Sequence, residues 1–213
     1  MFLFEPTYRP KPPVLTGERV YLRPPLLADY RAWAELRGHS RAFLEPWEPV
    51  WGENALSRGT YRGRVSRVVR EWNSDLGYAF YIFATGRNGL ARETLLGGVN
   101  LNNVRRLSAQ CCNLGYWMGE PFAGQGLMHA ALDLLLPYAF APLEAEQPGL
   151  GLHRIDAACI PDNDPSRHLL RRCGFREIGL APGYLKIAGD WRDHLCHQLL
   201  AEEYGGLSRQ HLA

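Results

Sequence analysis

Apolar residues recur at intervals of three and four between Ser57 and Leu76, at Tyr61, Val65, Val68, Val69, Trp72 and Leu76. Arg58, Arg62, Arg64, Arg67 and Arg70 fill the other positions. The period predicts an amphipathic helix, and the arginines read either as its solvated face or as a binding patch. Before it, Arg19–Arg23 reads as a strand, and Asp29 as the N-cap of a helix running through Leu36, with Gly38 as its stop. Phe43–Trp51 carries two prolines among three aromatic residues and reads as a rigid loop.

Downstream, the aromatic and β-branched runs Tyr78–Thr85 and Leu95–Leu101 flank a turn at Gly86–Gly89 and predict an antiparallel hairpin. Cys111–Met118 reads as a strand, Gly119–Gly126 as a glycine-bearing turn, and Leu127–Phe140 as a helix that Pro137 kinks or ends. A loop over Ala141–Gly151 leads to a strand at His153–Ile160 and a short helix at Pro165–Cys173, closed by Gly174. Phe175–Leu180 and His194–Leu200 supply two more strands. Hairpins followed by interleaved helices imply an α/β or α+β domain with a mixed sheet. We divide the chain into a Pro-rich lead (1–15, with Pro6, Pro10, Pro12 and Pro13), one domain (16–204) and a tail (205–213).

A length of 213 residues suits that single domain. Hydrophobic residues at 46% and charged residues at 22% exclude a disordered chain. A balance of 24 basic against 22 acidic residues, formally +2, gives no field that argues for nucleic acid. No run approaches the ~18 apolar residues needed to span a bilayer, and the N-terminus lacks the pattern of a signal peptide. Five cysteines, two of them adjacent at Cys111 and Cys112, fit reduced thiols and a cytoplasmic setting better than a disulfide framework.

The chemistry concentrates in two segments. In Leu114–Leu136 a strand enters a turn with Gly119, Gly124 and Gly126, and a helix starts at once. Such a turn exposes backbone N–H groups at a helix N-terminus, where a phosphate can bind without a lysine; plain turn chemistry is the alternative. In His153–Phe175 a strand ends at Pro161, Asn163 stands in the loop and Ser166 follows three residues later. Asn163 reads as a helix cap or as a ligand contact. Together the two segments resemble the GNAT superfamily of acetyl-CoA-dependent N-acyltransferases. Phe43–Pro49 (FLEPWEP), Leu114–Gly119 (LGYWMG), Gly124–Met128 (GQGLM), His153–Ala158 (HRIDAA) and Gly183–Leu195 are similar to ribosomal-protein-alanine N-acetyltransferases of the RimJ/RimL type.

The resemblance implies a single GNAT-like domain with a central, mostly antiparallel mixed sheet flanked by helices. It implies acetyl-CoA as cosubstrate and a ribosomal protein's N-terminal α-amine as acceptor. Gln125, Gly126, Leu127 and Met128 match the pyrophosphate turn, Tyr116 and Met118 the pantetheine-binding strand end, Asn163 the CoA-contacting asparagine, and Ser166 the residue near the thioester sulfur. The chain departs from the superfamily where Ala123 replaces a Gln or Arg at the start of the turn. Ala158 and Leu170 stand at the positions of the usual glutamate base and tyrosine acid.

An α-amine, with a pKa near 7.7–8.0, is about 3.4 kcal/mol easier to deprotonate at a given pH than a lysine near 10.4. The missing groups thus fit an α-amine acceptor, and equally a non-catalytic acyl-CoA-binding module. A small-amine acetyltransferase is the further alternative. Ser166 is the candidate proton donor to the leaving thiol. Asp156 is either a base acting through water or a carboxylate paired with Arg154 or Arg105, and Tyr184 either an acid or a packed aromatic. Trp47, Glu48 and His194 are the candidate acceptor contacts: Glu48 reads as an attractor for the incoming ammonium or as a solvated carboxylate, and Trp47 as a wall or a packing anchor. Strand alternation places His197 opposite His194 and Cys196, so no metal site is expected. Partners are then a protein N-terminus, with no nucleic acid or membrane, in a monomer or homodimer.

Overall fold

The computed structural model describes residues 12–87 and 89–210. Most of the Pro-rich lead, including Pro6 and Pro10, and the last three residues of the tail lie outside the described residues, as does Asn88 in the hairpin turn. Strands β1 (Leu15–Thr16) and β2 (Val20–Arg23) open the fold, followed by the helices α1 (Tyr30–His39), α2 (Arg41–Leu44) and α3 (Arg58–Asn73). The hairpin β3 (Gly77–Ala84) and β4 (Leu95–Arg105) comes next, then β5 (Cys111–Met118), α4 (Leu127–Phe140), β6 (Arg154–Cys159) and α5 (Asp164–Arg172). The chain ends with β7 (Arg176–Ile187), β8 (Asp190–Leu200) and α6 (Ala201–Gln210). All eight strands form one sheet in the order β1-β2-β3-β4-β5-β6-β8-β7. Every neighbouring pair is antiparallel except β5 with β6.

Two cores lie on the two faces of this sheet. On one face Phe80, Ile82, Val99, Leu101, Leu114 and Ile155 pack under the leucines of α4 and Leu170 of α5. Tyr81, Phe83 and Trp117 turn to the other face, against Trp33 of α1 and Tyr61 and Val65 of α3. The three-four periodicity of α3 therefore does what it predicts: Ser57 caps the helix, its side chain accepting from the Thr60 N–H, and the apolar stripe is buried.

Several boundaries differ from expectation. α1 continues through Gly38 to His39, because a glycine inside a helix costs only about 1 kcal/mol and helical packing outweighs it. Asp29 does not cap it through its side chain. The carboxylate instead binds Arg23 at 2.6 and 2.7 Å and accepts from the Leu26 N–H at 2.7 Å. Phe43–Trp51 is partly helical, through α2 and a 3-10 turn at Glu45–Trp47. Pro137 sits inside α4, which runs on to Phe140. β7 and β8 are much longer than the apolar runs suggest, because the added residues form a mostly exposed hairpin arm with no buried face to imprint an alternation. α6 runs across the boundary expected at residue 204; the two glycines of its AEEYGG start give the sequence no helical signal.

Candidate active site

The parallel strands β5 and β6 pair from Cys111↔Arg154 to Leu114↔Ala157 and then part. Beyond that point Gly115–Met118 stay paired with β4 and Ala158–Cys159 with β8. A wedge therefore opens in the middle of the sheet, with backbone groups of Gly115–Met118 along one wall.

α4 starts beside this wedge. Gly124 and Gly126 take φ of 72° and 71°, left-handed values that favour glycine. A Cβ on Gly124 would meet nothing within 4 Å, so the turn is open on that side. No side chain caps α4, which leaves its first N–H groups facing outward with the positive end of the helix dipole. Gln125 braces the turn from within, Nε2 donating to the Pro121 carbonyl at 2.8 Å. Leu127 and Met128 are buried, so only their backbone serves the turn. Arg19, just before β2, reaches the same place: Nη2 donates to the Gln125 carbonyl at 2.9 Å, and Nη1 would lie 3.5 Å from a Cβ on Gly126. Its Nε is buried with no partner among the described residues. Sequence reasoning missed Arg19, whose contact is 106 residues away. Two uncluttered glycines, uncapped N–H donors and a guanidinium make a donor set that fits a diphosphate.

On the same face, Tyr116 Oη and Ser166 Oγ lie 2.5 Å apart across the wedge. Burial holds the Tyr116 phenol well above its usual pKa, with the Ser166 hydrogen bond acting the other way, so it stays protonated. Asn163 caps α5: Oδ1 accepts from the Ser166 N–H at 3.1 Å. The capping reading of Asn163 is therefore realised, and it fixes the residue that carries the hydroxyl. Burial also pushes the Cys159 thiol up, which favours the unreactive protonated form. All five cysteines are free.

The opposite face holds an open cleft of about 790 Å³ between α1, the segment around Trp51, and α3. Here the reading of Glu48 as a free attractor or a solvated carboxylate is corrected. Its carboxylate is taken up by the Arg37 guanidinium and by Trp51 Nε1, the latter at 2.8 Å. Arg37 in turn stacks on Trp51 and Trp117, 4.4 and 5.0 Å from the ring centroids. Glu48 thus fixes the loop, and its carbonyl accepts from Ala188 N–H in the β7–β8 turn at 2.9 Å. Trp47 stays partly exposed.

Asp156 is paired with Arg154 at 2.6 Å, the structural alternative, one position below the wedge. Tyr184 is not a packed core residue: its ring is exposed and meets the His194 ring at 5.6 Å. His194 is buried, with Nδ1 at 2.9 Å from the Arg192 carbonyl oxygen. It shares a sheet face with Cys196 and Ala158, and His197 faces away. Among the described residues no cluster of three metal-ligating side chains occurs, and no helix is long and apolar enough to cross a membrane.

Residues 19–176 match the acetyltransferase (GNAT) domain family. The chain is 35% identical over 192 residues to the [ribosomal protein uS5]-alanine N-acetyltransferase of Escherichia coli (strain K12), covering 89% of this chain and 92% of that protein. Among solved structures it resembles Mycobacterium smegmatis RimJ in complex with CoA-disulfide, at a TM-score of 0.75 and 30% identity, with 92% of each chain covered. It also resembles the ribosomal-protein-S5-alanine acetyltransferase from Vibrio fischeri, at a TM-score of 0.77 and 25% identity, covering 90% of this chain and 98% of that one.

Proposed function

This chain belongs to the GNAT acetyltransferase family, and we propose that it transfers the acetyl group of acetyl-CoA to the N-terminal α-amine of a protein, a ribosomal protein beginning with alanine or serine. The observation that carries the reading is the wedge with its two unlike mouths. The donor-rich turn, Tyr116 and Ser166 lie on one face, and the aromatic cleft lies on the other. Two substrates can then meet from opposite sides in a ternary complex. The uS5-alanine specificity named for the Escherichia coli relative supports a ribosomal acceptor.

Bound acetyl-CoA supplies an activated acyl carbon on a thiol leaving group. Backbone N–H groups of Gln125–Met128 and the Arg19 guanidinium hold the diphosphate, and the Gly115–Met118 backbone pairs with the pantetheine. A backbone N–H of that segment polarises the thioester carbonyl. The neutral amine attacks: the C–N bond forms, the C–S bond breaks, and the amine's proton leaves through water on the cleft side, where Asp156, paired with Arg154, is the carboxylate proposed to take it. Ser166 donates its hydroxyl proton to the departing sulfur and regains one from solvent, while Tyr116, kept protonated by burial, holds the hydroxyl in place across their hydrogen bond. No strong base is required because an α-amine is partly neutral at physiological pH.

CoA release measured with an alanine- or serine-starting peptide, its N-formyl counterpart, a lysine peptide and a panel of small amines tests this. We expect turnover on the free α-amine alone. Equal rates on lysine side chains, or turnover confined to small amines, would refute it.

A further inference from the structure

The wall between the cleft and the wedge is rich in donors and short of acceptors. Arg64 of α3 lines the cleft and also a smaller cavity floored by Tyr81, Gly98, Asn100 and Trp117. Asn100 stands opposite Gly115, where β5 leaves β6. Arg64 is half-buried, and no carboxylate lies within ion-pair distance of it among the described residues. The neighbouring guanidiniums are answered: Arg37 by Glu48 and Arg67 by Glu71. A further donor lines the same cleft. Trp33 lines the cleft, 3% exposed, and its indole N–H is buried with no partner. The buried Tyr81 hydroxyl faces the Tyr61 hydroxyl, which donates in turn to the Leu26 carbonyl. Burial raises the Tyr81 phenol, and the charge of Arg64, the Tyr61 hydrogen bond and the charge of Arg37 pull it back, which places both guanidiniums in its field. Buried donors without acceptors are costly. A carboxylate, with two oxygens and a negative charge, is the group that satisfies them together.

We infer that this wall is a specificity subsite for an acidic side chain, an Asp or Glu at the second or third position of the acceptor peptide. The inference rests on the peptide-acceptor reading above. The spacing follows from the layout: Arg64 faces the open cleft and also reaches Asn100, the partner of Gly115 where β5 leaves β6, so a carboxylate held on the cleft side of Arg64 would lie one or two extended residues, about 3.4 Å each, from an amine at the wedge. Trp33 and Trp51 would enclose the chain between those points.

Amidated peptides beginning Ala-Glu, Ala-Gln and Ala-Lys, with glutamate moved in turn to the third and sixth positions, test it with the full chain. Initial rates at low and high salt give kcat/KM for each. We expect at least a tenfold preference for glutamate over glutamine at position two or three, carried mainly in KM, weakened by salt and absent at position six. In Arg64→Gln the glutamate-to-glutamine ratio should fall to about one. Equal rates on Glu and Gln peptides in the wild type, or a preference that survives Arg64→Gln, would overturn the subsite while leaving α-amine transfer standing. A failure of every peptide would instead overturn the acceptor reading and the subsite with it.

Discussion

Arg19→Gln removes the cation at the α4 turn. The guanidinium does two things: Nη2 holds the Gln125 carbonyl at 2.9 Å, and its remaining N–H groups lie beside Gly126. A charge-assisted hydrogen bond is worth about 1.5–3 kcal/mol. Arg19 is partly exposed, so water competes and the lower end applies, about 1.5 kcal/mol, or roughly tenfold in Kd. Calorimetry with CoA, dephospho-CoA and pantetheine separates the contributions. CoA and dephospho-CoA should both weaken about tenfold, whereas pantetheine, which lacks the diphosphate, should bind as before. Gly126→Val is the companion measurement: its Cβ would occupy the space the diphosphate needs and add strain at φ 71°, so CoA binding should fall by tenfold or more. If pantetheine weakened as much as CoA in Arg19→Gln, Arg19 would be a prop for the turn and nothing else. If only CoA weakened, the contact would be to the 3′-phosphate. An effect in Gly126→Val without one in Arg19→Gln would leave the turn assignment intact and remove the arginine from it.

Asn163→Ala should cost about 1 kcal/mol through the lost cap, a fall of about 2–4 °C in Tm; because the cap holds Ser166, kcat should drop more than KM for acetyl-CoA rises, and an unchanged kcat would detach Ser166 from the chemistry. Glu48→Gln leaves Arg37 with half its partner and should lower unfolding free energy by about 1–3 kcal/mol and raise the acceptor KM, with CoA affinity constant; unaltered urea unfolding would contradict the locking role. Burial pushes the Asp75 carboxyl up, but hydrogen bonds from Arg106 and Tyr78 outweigh it and hold it below its ordinary range. Its contribution is therefore present above the unfolded pKa near 3.9 and lost as pH falls through the lower folded value. Asp75→Asn should thus be less stable than wild type at pH 7, with the gap closing towards pH 3 in denaturant titrations; a gap constant across that range would argue against the pairing.

The elements with a buried face were legible in the sequence. α3 writes its contacts at three and four, and β3, β4 and β5 are rich in aromatic, β-branched and apolar residues because they face cores on both sides. The β7–β8 arm faces solvent along most of its length, so nothing in its composition marked where it extends. At the site, the glycine turn and the Asn163–Ser166 spacing are local and could be read. What could not be read is everything that depends on distant residues arriving together: Arg19 at Gln125, Tyr116 at Ser166, and Arg37 claiming Glu48 from a helix eleven residues earlier. The Glu48 expectation failed for that reason. A carboxylate between a tryptophan and a proline looks available until its counter-ion is placed.

The gap between β5 and β6 is an edge set inside a sheet. The β1–β5 half and the β6–β8–β7 half share backbone pairing only from Cys111↔Arg154 to Leu114↔Ala157. Above that line each half presents unpaired peptide groups to the other. On the proposed binding mode pantetheine, itself built of amides, would stitch them, and the cosubstrate would then also act as a clasp. At a concentration one hundred times its Kd it would add about 2.7 kcal/mol to the folded state. Protein starved of acetyl-CoA would then be the form that opens along this seam, exchanges its Gly115–Met118 amides fastest and is cut first by proteases, tying the enzyme's lifetime to the supply of its own substrate.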